Sequence, residues 1–268
     1  MTERDVYTHG HSDAVLRSHR QRTAANSAAY LVPSLSAGMR LLDVGCGPGT
    51  LTVDLARLVA PGEVVGVDVS ADVVDEAGAF AAGTAVGAVR FIAGDFRSVG
   101  LESHSFDVVH AHQVLQHLRD PIGALRAMRD LAKPGGVVAA RDSVYSSFAW
   151  YPEEPRLDRW LEIYLAVTAA NGADADAGTR LLSWAKEAGF TDAAASSSTW
   201  TWATPDERAW WCELWAERTV GPGLGGQAVE YGIATADELA DIADGWRQWA
   251  GHDDGVFVVV HGEILARA

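Results

Sequence analysis

Arg40-Leu41-Leu42-Asp43-Val44-Gly45-Cys46-Gly47-Pro48-Gly49-Thr50 is an apolar run that ends in an acid and a glycine turn. Straight after it, Leu51, Leu55, Leu58 and Val59 recur at helical spacing until Pro61-Gly62 stops them. The stretch therefore reads as buried strand, tight turn, helix. Three glycines within Gly45–Gly49 let the backbone turn sharply and come close to a ligand. The helix behind the turn aims unpaired N–H groups and a positive dipole end at the same place. A turn of this kind also serves as a plain strand–helix connection, so the spacing has to decide. The dinucleotide fingerprint Gly-x-Gly-x-x-Gly needs glycine at position 50, where this chain has Thr50. The turn carries no lysine, which excludes a triphosphate-binding P-loop.

Outward from the turn the pattern repeats. Glu63 to Val69 is a second strand, apolar enough to be buried on both faces, and Ala71 to Ala82 a helix. Val89 to Ala93 is a third strand, ending at Gly94-Asp95, and Phe106 to His112 a fourth. Asp120-Pro121 opens a helix, and Val137 to Arg141 is a fifth strand. Strands alternating with helices predict an open, mostly parallel α/β sheet with helices on both faces. Ligands of such sheets lie beyond the carboxyl ends of the strands. Asp68 ends the second strand 23 residues after Gly45, where a carboxylate can accept two hydrogen bonds from a ribose diol. Asp95 can accept from an exocyclic amine, with Phe96 beside it to lie against an adenine.

These segments, in order, are Leu41–Thr50, Val64–Ser70, Gly94-Asp95-Phe96, Phe106–Leu118 and Leu131–Val138. Together they resemble the successive motifs of class I S-adenosylmethionine-dependent methyltransferases. His110-Ala111-His112-Gln113-Val114-Leu115-Gln116-His117-Leu118 resembles the ubiquinone/menaquinone-biosynthesis type and its small-molecule relatives. The resemblance covers about residues 38–143. It implies a Rossmann-like, seven-stranded, mostly parallel sheet whose last strand is antiparallel, with S-adenosyl-L-methionine as cofactor. Carried over, Gly45, Cys46, Gly47 and Gly49 border the methionine part. Asp43 orients the loop or reaches the amino end, and Asp68, with Val69 after it, holds the ribose. Asp95 and Phe96 hold the adenine, and the backbone of His112 lies near the sulfonium. The His112 side chain is the candidate base or substrate orienter, and His110 is expected to face away from it. Cys46 stands where a small residue is needed, not a nucleophile. The Asn/Asp-Pro-Pro-aromatic stretch of the DNA and protein amino methylators is absent, with His112-Gln113 in its place.

The rest of the chain predicts additions to that core. Ser12 to Leu31 reads as one helix ended by Pro33, carrying Arg17, Arg20 and Arg22, the densest basic cluster. Tyr145 to Asn171 reads as a helical insertion with no strand after Ser146. Ala177 to Ala188 is a helix, Thr191 to Trp202 the sixth strand and Val256 to Leu265 the seventh. Between these last two strands, Thr204–Glu207 and Thr235–Glu238 are capping boxes opening two helices. The expected organisation is thus an N-terminal helical lid (1–37), a cofactor-binding core (38–143), a helical cap insertion (144–176), the remaining sheet (177–202 and 255–268) and a second cap (203–254). All ten tryptophans lie at or after Trp150. In a cap they either pack the helices on the sheet or line an apolar pocket.

Composition narrows the function. With 21 Lys and Arg against 36 Asp and Glu the net charge is −15, which disfavours phosphate backbones and anionic lipid. No nucleic-acid or membrane partner is expected, and the charge leans towards neutral or cationic substrates. Two cysteines, Cys46 and Cys212, form no disulfide framework or cysteine zinc site, and no metal ligand set stands out. Met1 to Val6 lacks the apolar core of a secretion signal, so a cytoplasmic location is expected. The expected function is methyl transfer to a small, apolar or aromatic acceptor, with His9 and His11 in a lid over the site. A nicotinamide-dependent oxidoreductase and a non-catalytic cofactor binder are the alternatives.

Overall fold

The computed structural model describes residues 7–8, 13–84 and 86–268. Five strands run parallel: β1 (Leu41–Val44), β2 (Val64–Asp68), β3 (Val89–Ala93), β4 (Phe106–His112) and β5 (Ala132–Ser143). β7 (Ala193–Trp202) and the antiparallel β8 (Val256–Arg267) complete the sheet. The order is β3-β2-β1-β4-β5-β8, with β7 on the outer side of β8. This is the Rossmann-like arrangement with an antiparallel last strand. β1 is buried along its whole length between β2 and β4, which is why its sequence carries no polar alternation.

The helices are set by identifiable caps. α3 (Thr50–Val59) starts on Gly49, whose φ of 82° belongs to the left-handed region that glycine tolerates. Ser70 caps α4 (Ala71–Ala82), and Asp120 with Pro121 opens α5 (Pro121–Leu131). The Thr204–Glu207 box opens α8 (Pro205–Val220) with both reciprocal hydrogen bonds. At α10 (Ala236–Trp249) Thr235 caps, but Glu238 turns instead to Arg159 Nε at 2.8 Å.

Two segments depart from expectation. The N-terminal helix is two pieces, α1 (Asp13–His19) and α2 (Ala24–Ser27). Thr23 is extended and builds a capping box with Asn26, so the chain stops and restarts there. The break leaves Arg22 between the helices. In the first insertion, Ala149–Tyr151 forms a short strand, β6, antiparallel to β8, and Trp150 stacks on Phe257 at 5.6 Å. Three residues are too few to show a period, and their partner lies about a hundred residues away in the chain.

The two insertions share one apolar core. Trp160 of α6 (Pro155–Ala170), Trp211 and Trp215 of α8, and Trp246 and Trp249 of α10 close around Phe257 and Val259 of β8. α7 (Ala177–Glu187) instead packs under the sheet with α5. α9 (Leu224–Glu230) links α8 to α10. The lid joins the cap through Arg17 and Glu217, 2.6 Å apart, and through Arg218, which donates to Ser18 Oγ. Thr8, fully buried, accepts from Asn171 Nδ2 at 3.1 Å, and its carbonyl accepts from Gln227. His9 and His11 lie outside the described residues. No helix among the described residues is long and apolar enough to cross a membrane.

Candidate functional site

The glycine turn lies at the carboxyl end of β1. Gly45, Gly47 and Gly49 all have positive φ, at 68°, 54° and 82°. The turn is tied to β2 by Gly45 N and Cys46 N, which both donate to the Val67 carbonyl. Asp68 completes the tie: its Oδ2 accepts from Gly47 N at 3.1 Å and its Oδ1 from Ser70 N at 3.0 Å. Each carboxylate oxygen keeps a further lone pair for a ligand. Side chains could not replace two of the neighbouring glycines. A Cβ on Gly45 would lie 2.4 Å from Val114 Cγ2, and one on Gly66 2.6 Å from the Phe91 ring. A Cβ on Gly47 would meet only His19 Nδ1, at 3.6 Å, so the space above Gly47 stays open to a ligand.

The other residues singled out in the sequence fall into two groups. Val69, beside Asp68, is 71% exposed, an apolar surface next to the Asp68 carboxylate. Asp95 stands at the end of β3 and faces Arg97, whose Nη2 is 2.7 Å from Oδ2. Asp43, Cys46, Phe96 and His112 are buried. Asp43 accepts from Thr52 Oγ1 at 2.6 Å and pairs with His110 Nδ1 at 2.9 Å, pinning α3 and β4 to β1. Burial pushes the Cys46 thiol well up, away from the thiolate a nucleophile needs. Phe96 packs into the sheet core with Val67 and Leu115.

His112 does not reach open space. It sits behind Trp200 and His261, with ring centroids 5.8 and 6.4 Å away, and neither ring nitrogen has a hydrogen-bond partner among the described residues. Burial, helped by Arg22 and Arg141, holds its pKa well below the usual value, so the ring is neutral. His110 does not face away from it: residues two apart on a strand share a side.

The open space belongs to the residue after His112. A cavity of about 570 Å³ lies beyond the ends of β4 and β5 and under the cap. Its floor holds Gln113, His117 and Ser143, with Tyr7, His19 and Arg22 from the N-terminal segment. Its walls are aromatic: Tyr145, Phe148, Trp200, Trp202, Trp210, Trp211 and Trp215. Trp202 and Trp211 stack at 3.7 Å. Gln113 has a φ of 53°, rare for a residue with a side chain. Three partners hold it there: Ser143 Oγ at 3.0 Å, His261 Nε2 at 2.9 Å and Arg22 Nη2. Tyr7 lies edge-on to His117 with centroids 4.7 Å apart, and its hydroxyl is 3.5 Å from His19 Nε2. His19 thus touches both the glycine turn and the cavity.

Tyr7, His19, Arg22, Gln113 and Ser143 were not singled out as site residues from the sequence. The arginine cluster and the His112-Gln113 pair were the signals, but only the helix break at Thr23 brings Arg22 to Gln113. Among the described residues no group of three or more His, Cys, Asp or Glu is placed to hold a metal ion.

Comparison with known proteins agrees with this geometry. Residues 35–189 match the family described as a methyltransferase domain. An uncharacterized methyltransferase of Schizosaccharomyces pombe is 29% identical over 273 residues, covering 98% of this chain and 97% of that protein. A ubiquinone biosynthesis O-methyltransferase of Ruegeria pomeroyi is 40% identical over 106 residues, covering 38% of this chain and 40% of its own. In fold, the YcgJ protein of Bacillus subtilis is similar at a TM-score of 0.59 and 18% identity, covering 89% of this chain and 96% of that one. The cyclopropane synthase MmaA2 of Mycobacterium tuberculosis gives 0.56 and 19%, covering 98% and 97%. By its glycine turn, the acid at the end of β2, its strand order and the matching family, this chain belongs to the class I S-adenosylmethionine-dependent methyltransferases.

Proposed function

We propose that the chain binds S-adenosylmethionine across the glycine turn and Asp68, and transfers its methyl group to a small aromatic acceptor held in the cavity under the cap. One observation carries the reading: the open space above Gly47 and the aromatic cavity meet at His19, so donor and acceptor sites adjoin. The chain's residues fit the cofactor. Asp68 keeps lone pairs for a diol, Gly47 leaves room for the methionine, and Val69 offers an apolar face to the adenine.

When bound, S-adenosylmethionine supplies a methyl group on a positively charged sulfur, already activated for displacement. The protein's task is then alignment and exclusion of water. Holding an acceptor in line can supply an effective molarity of ~10⁵–10⁸ M. Tryptophans line the cavity on the cap side, and the buried Thr8 anchors the segment that carries Tyr7. Large planar side chains favour a planar acceptor, which stacks on them.

The test has two steps. Calorimetry with S-adenosylmethionine and, separately, NAD should show binding of the first only. Incubation with a metabolite extract and labelled S-adenosylmethionine should then give a product heavier by one labelled methyl group. Binding of NAD, or donor binding with no methylated product from any extract, would count against the reading.

A further inference from the structure

The floor of the cavity is unbalanced in its hydrogen-bonding groups. Gln113 Nε2 spends both hydrogens, on Ser143 Oγ at 3.0 Å and His261 Nε2 at 2.9 Å, and Oε1 accepts from Arg22. Ser143 Oγ is accepting, so its own hydrogen is left to donate. Among the described residues the Arg22 guanidinium has one hydrogen-bond partner, Gln113 Oε1, which it reaches through Nη2. Arg22 and Ser143 both line the cavity, so the rest of the guanidinium and the Ser143 hydroxyl hydrogen have no acceptor there among the described residues.

The charge is unbalanced in the same sense. Burial pushes the Arg22 guanidinium down to about 10, and the groups acting on it most strongly are Tyr7, Arg218, Arg141 and Tyr145, with no carboxylate among them. The carboxylates among the described lining residues are Asp206 and Glu207, on the first turn of α8, and Glu207 is taken up by the N–H groups of Ala203 and Thr204. A partly buried cation with no counter-charge among the described lining residues favours an anionic ligand.

We propose that the Arg22 guanidinium and Ser143 Oγ form an oxyanion site for the acceptor. They would hold an ionised or strongly polarised oxygen, such as a phenolate, enolate or carboxylate, on a planar molecule lying under Trp200, Trp202 and Trp211. This rests on reading the cavity as the acceptor site. The net charge of −15 argues the other way only at long range. Salt screens it over ~8 Å, whereas a guanidinium lining the cavity acts at contact distance. Gln113 is the positioning residue: its amide is fully committed, so it fixes both donors without competing for the ligand. An acceptor that enters ionised also needs no base, consistent with His112 lying outside the cavity.

The experiment uses naphthoate, its neutral analogue naphthamide, and naphthylmethylammonium as probes. Each is titrated by calorimetry into the full-length protein saturated with S-adenosylhomocysteine. Naphthoate should bind at least tenfold tighter than naphthamide, and the ammonium most weakly. Arg22→Met should erase the tenfold margin while leaving the naphthamide Kd within twofold, and Arg22→Lys should restore part of it. Ser143→Ala should cut the margin severalfold. Circular dichroism checks that each variant is folded. Equal affinity for naphthoate and naphthamide in the native protein, or binding of neither, overturns the proposal.

A second arm compares S-adenosylhomocysteine with methylthioadenosine, which lacks the carboxylate. If Arg22→Met removes the preference for the former and leaves the naphthoate margin intact, Arg22 serves the cofactor's carboxylate and the proposal falls. If the native protein binds no S-adenosylhomocysteine, the donor reading fails by itself. The naphthoate margin, measured without it, still decides the oxyanion site.

Discussion

Asp68 offers the most direct perturbation of the donor site. Its carboxylate holds Gly47 N at 3.1 Å and Ser70 N at 3.0 Å, and each oxygen keeps a lone pair for a ligand. Asp68→Ala should therefore act twice. Hydrogen bonds from a ribose diol to a charged acceptor contribute about 1.5–3 kcal/mol. Their loss weakens cofactor binding ~10- to 150-fold. Loss of the acceptor for Gly47 and Ser70 adds a stability cost of about 1 kcal/mol, small because water reaches this half-buried turn. From the sequence alone only the first effect is expected. Calorimetry with S-adenosylhomocysteine reads the binding, and thermal melting of the cofactor-free protein reads the stability. An analogue with both ribose hydroxyls removed separates direct loss from loop collapse. It should bind native and Asp68→Ala proteins alike, since the mutated contact is the one the analogue already lacks. A folded Asp68→Ala protein with an unchanged Kd for S-adenosylhomocysteine would refute the assignment. Equal weakening for the analogue would show that the carboxylate acts only through the loop.

Gly262→Ala should destabilise the protein by roughly 3 kcal/mol, at the upper end for overpacking, because its Cβ would fall 2.0 Å from the Gly178 carbonyl and α7 would have to move; denaturant melts showing no shift would be inconsistent with that contact. Asp142, fully buried, has its pKa raised by burial from 3.8 to about 8. The native state therefore holds a proton that the unfolded state has lost, and this group's contribution to stability falls as pH rises from about 4 to about 8, by at most ~1.4 kcal/mol per pH unit. Asp142→Asn keeps an acceptor for Gln116 N and should flatten that alkaline decline in urea melts taken across the range; an unchanged slope would show that Asp142 is already ionised. Deleting residues 1–11 removes Tyr7 and the buried Thr8 anchor, so single-turnover methyl transfer should fall strongly while most of the fold survives; equal rates would show that the cavity needs no closure from this segment.

The sequence by itself determined the sheet, the glycine turn and the family. These are local in the chain: a strand, its turn and the next helix span about twenty residues, and their periods and breakers are written consecutively. The same locality made Asp68 legible, since the end of an apolar strand marks the ligand side of a parallel sheet. What the tertiary structure alone decided is where polar groups meet across long separations. Arg22 and Gln113 are ninety-one residues apart, and Gln113 and His261 one hundred and forty-eight, yet they form one hydrogen-bonded floor. The positive φ of Gln113 has no sequence signal, because it is held by contacts made only after folding, whereas the break at Thr23 rests on a local Thr23–Asn26 capping box set inside an otherwise helical pattern. His112 shows the converse. Its place at the end of β4 suggested an exposed group, but strands β7 and β8 bring Trp200 and His261 over it, and burial removes it from the cavity. The tryptophans divide the same way: sequence spacing placed them on cap helices and on the sixth strand, and packing around Phe257 decided that Trp160, Trp246 and Trp249 are core only, while Trp200, Trp202 and Trp211 also line the cavity.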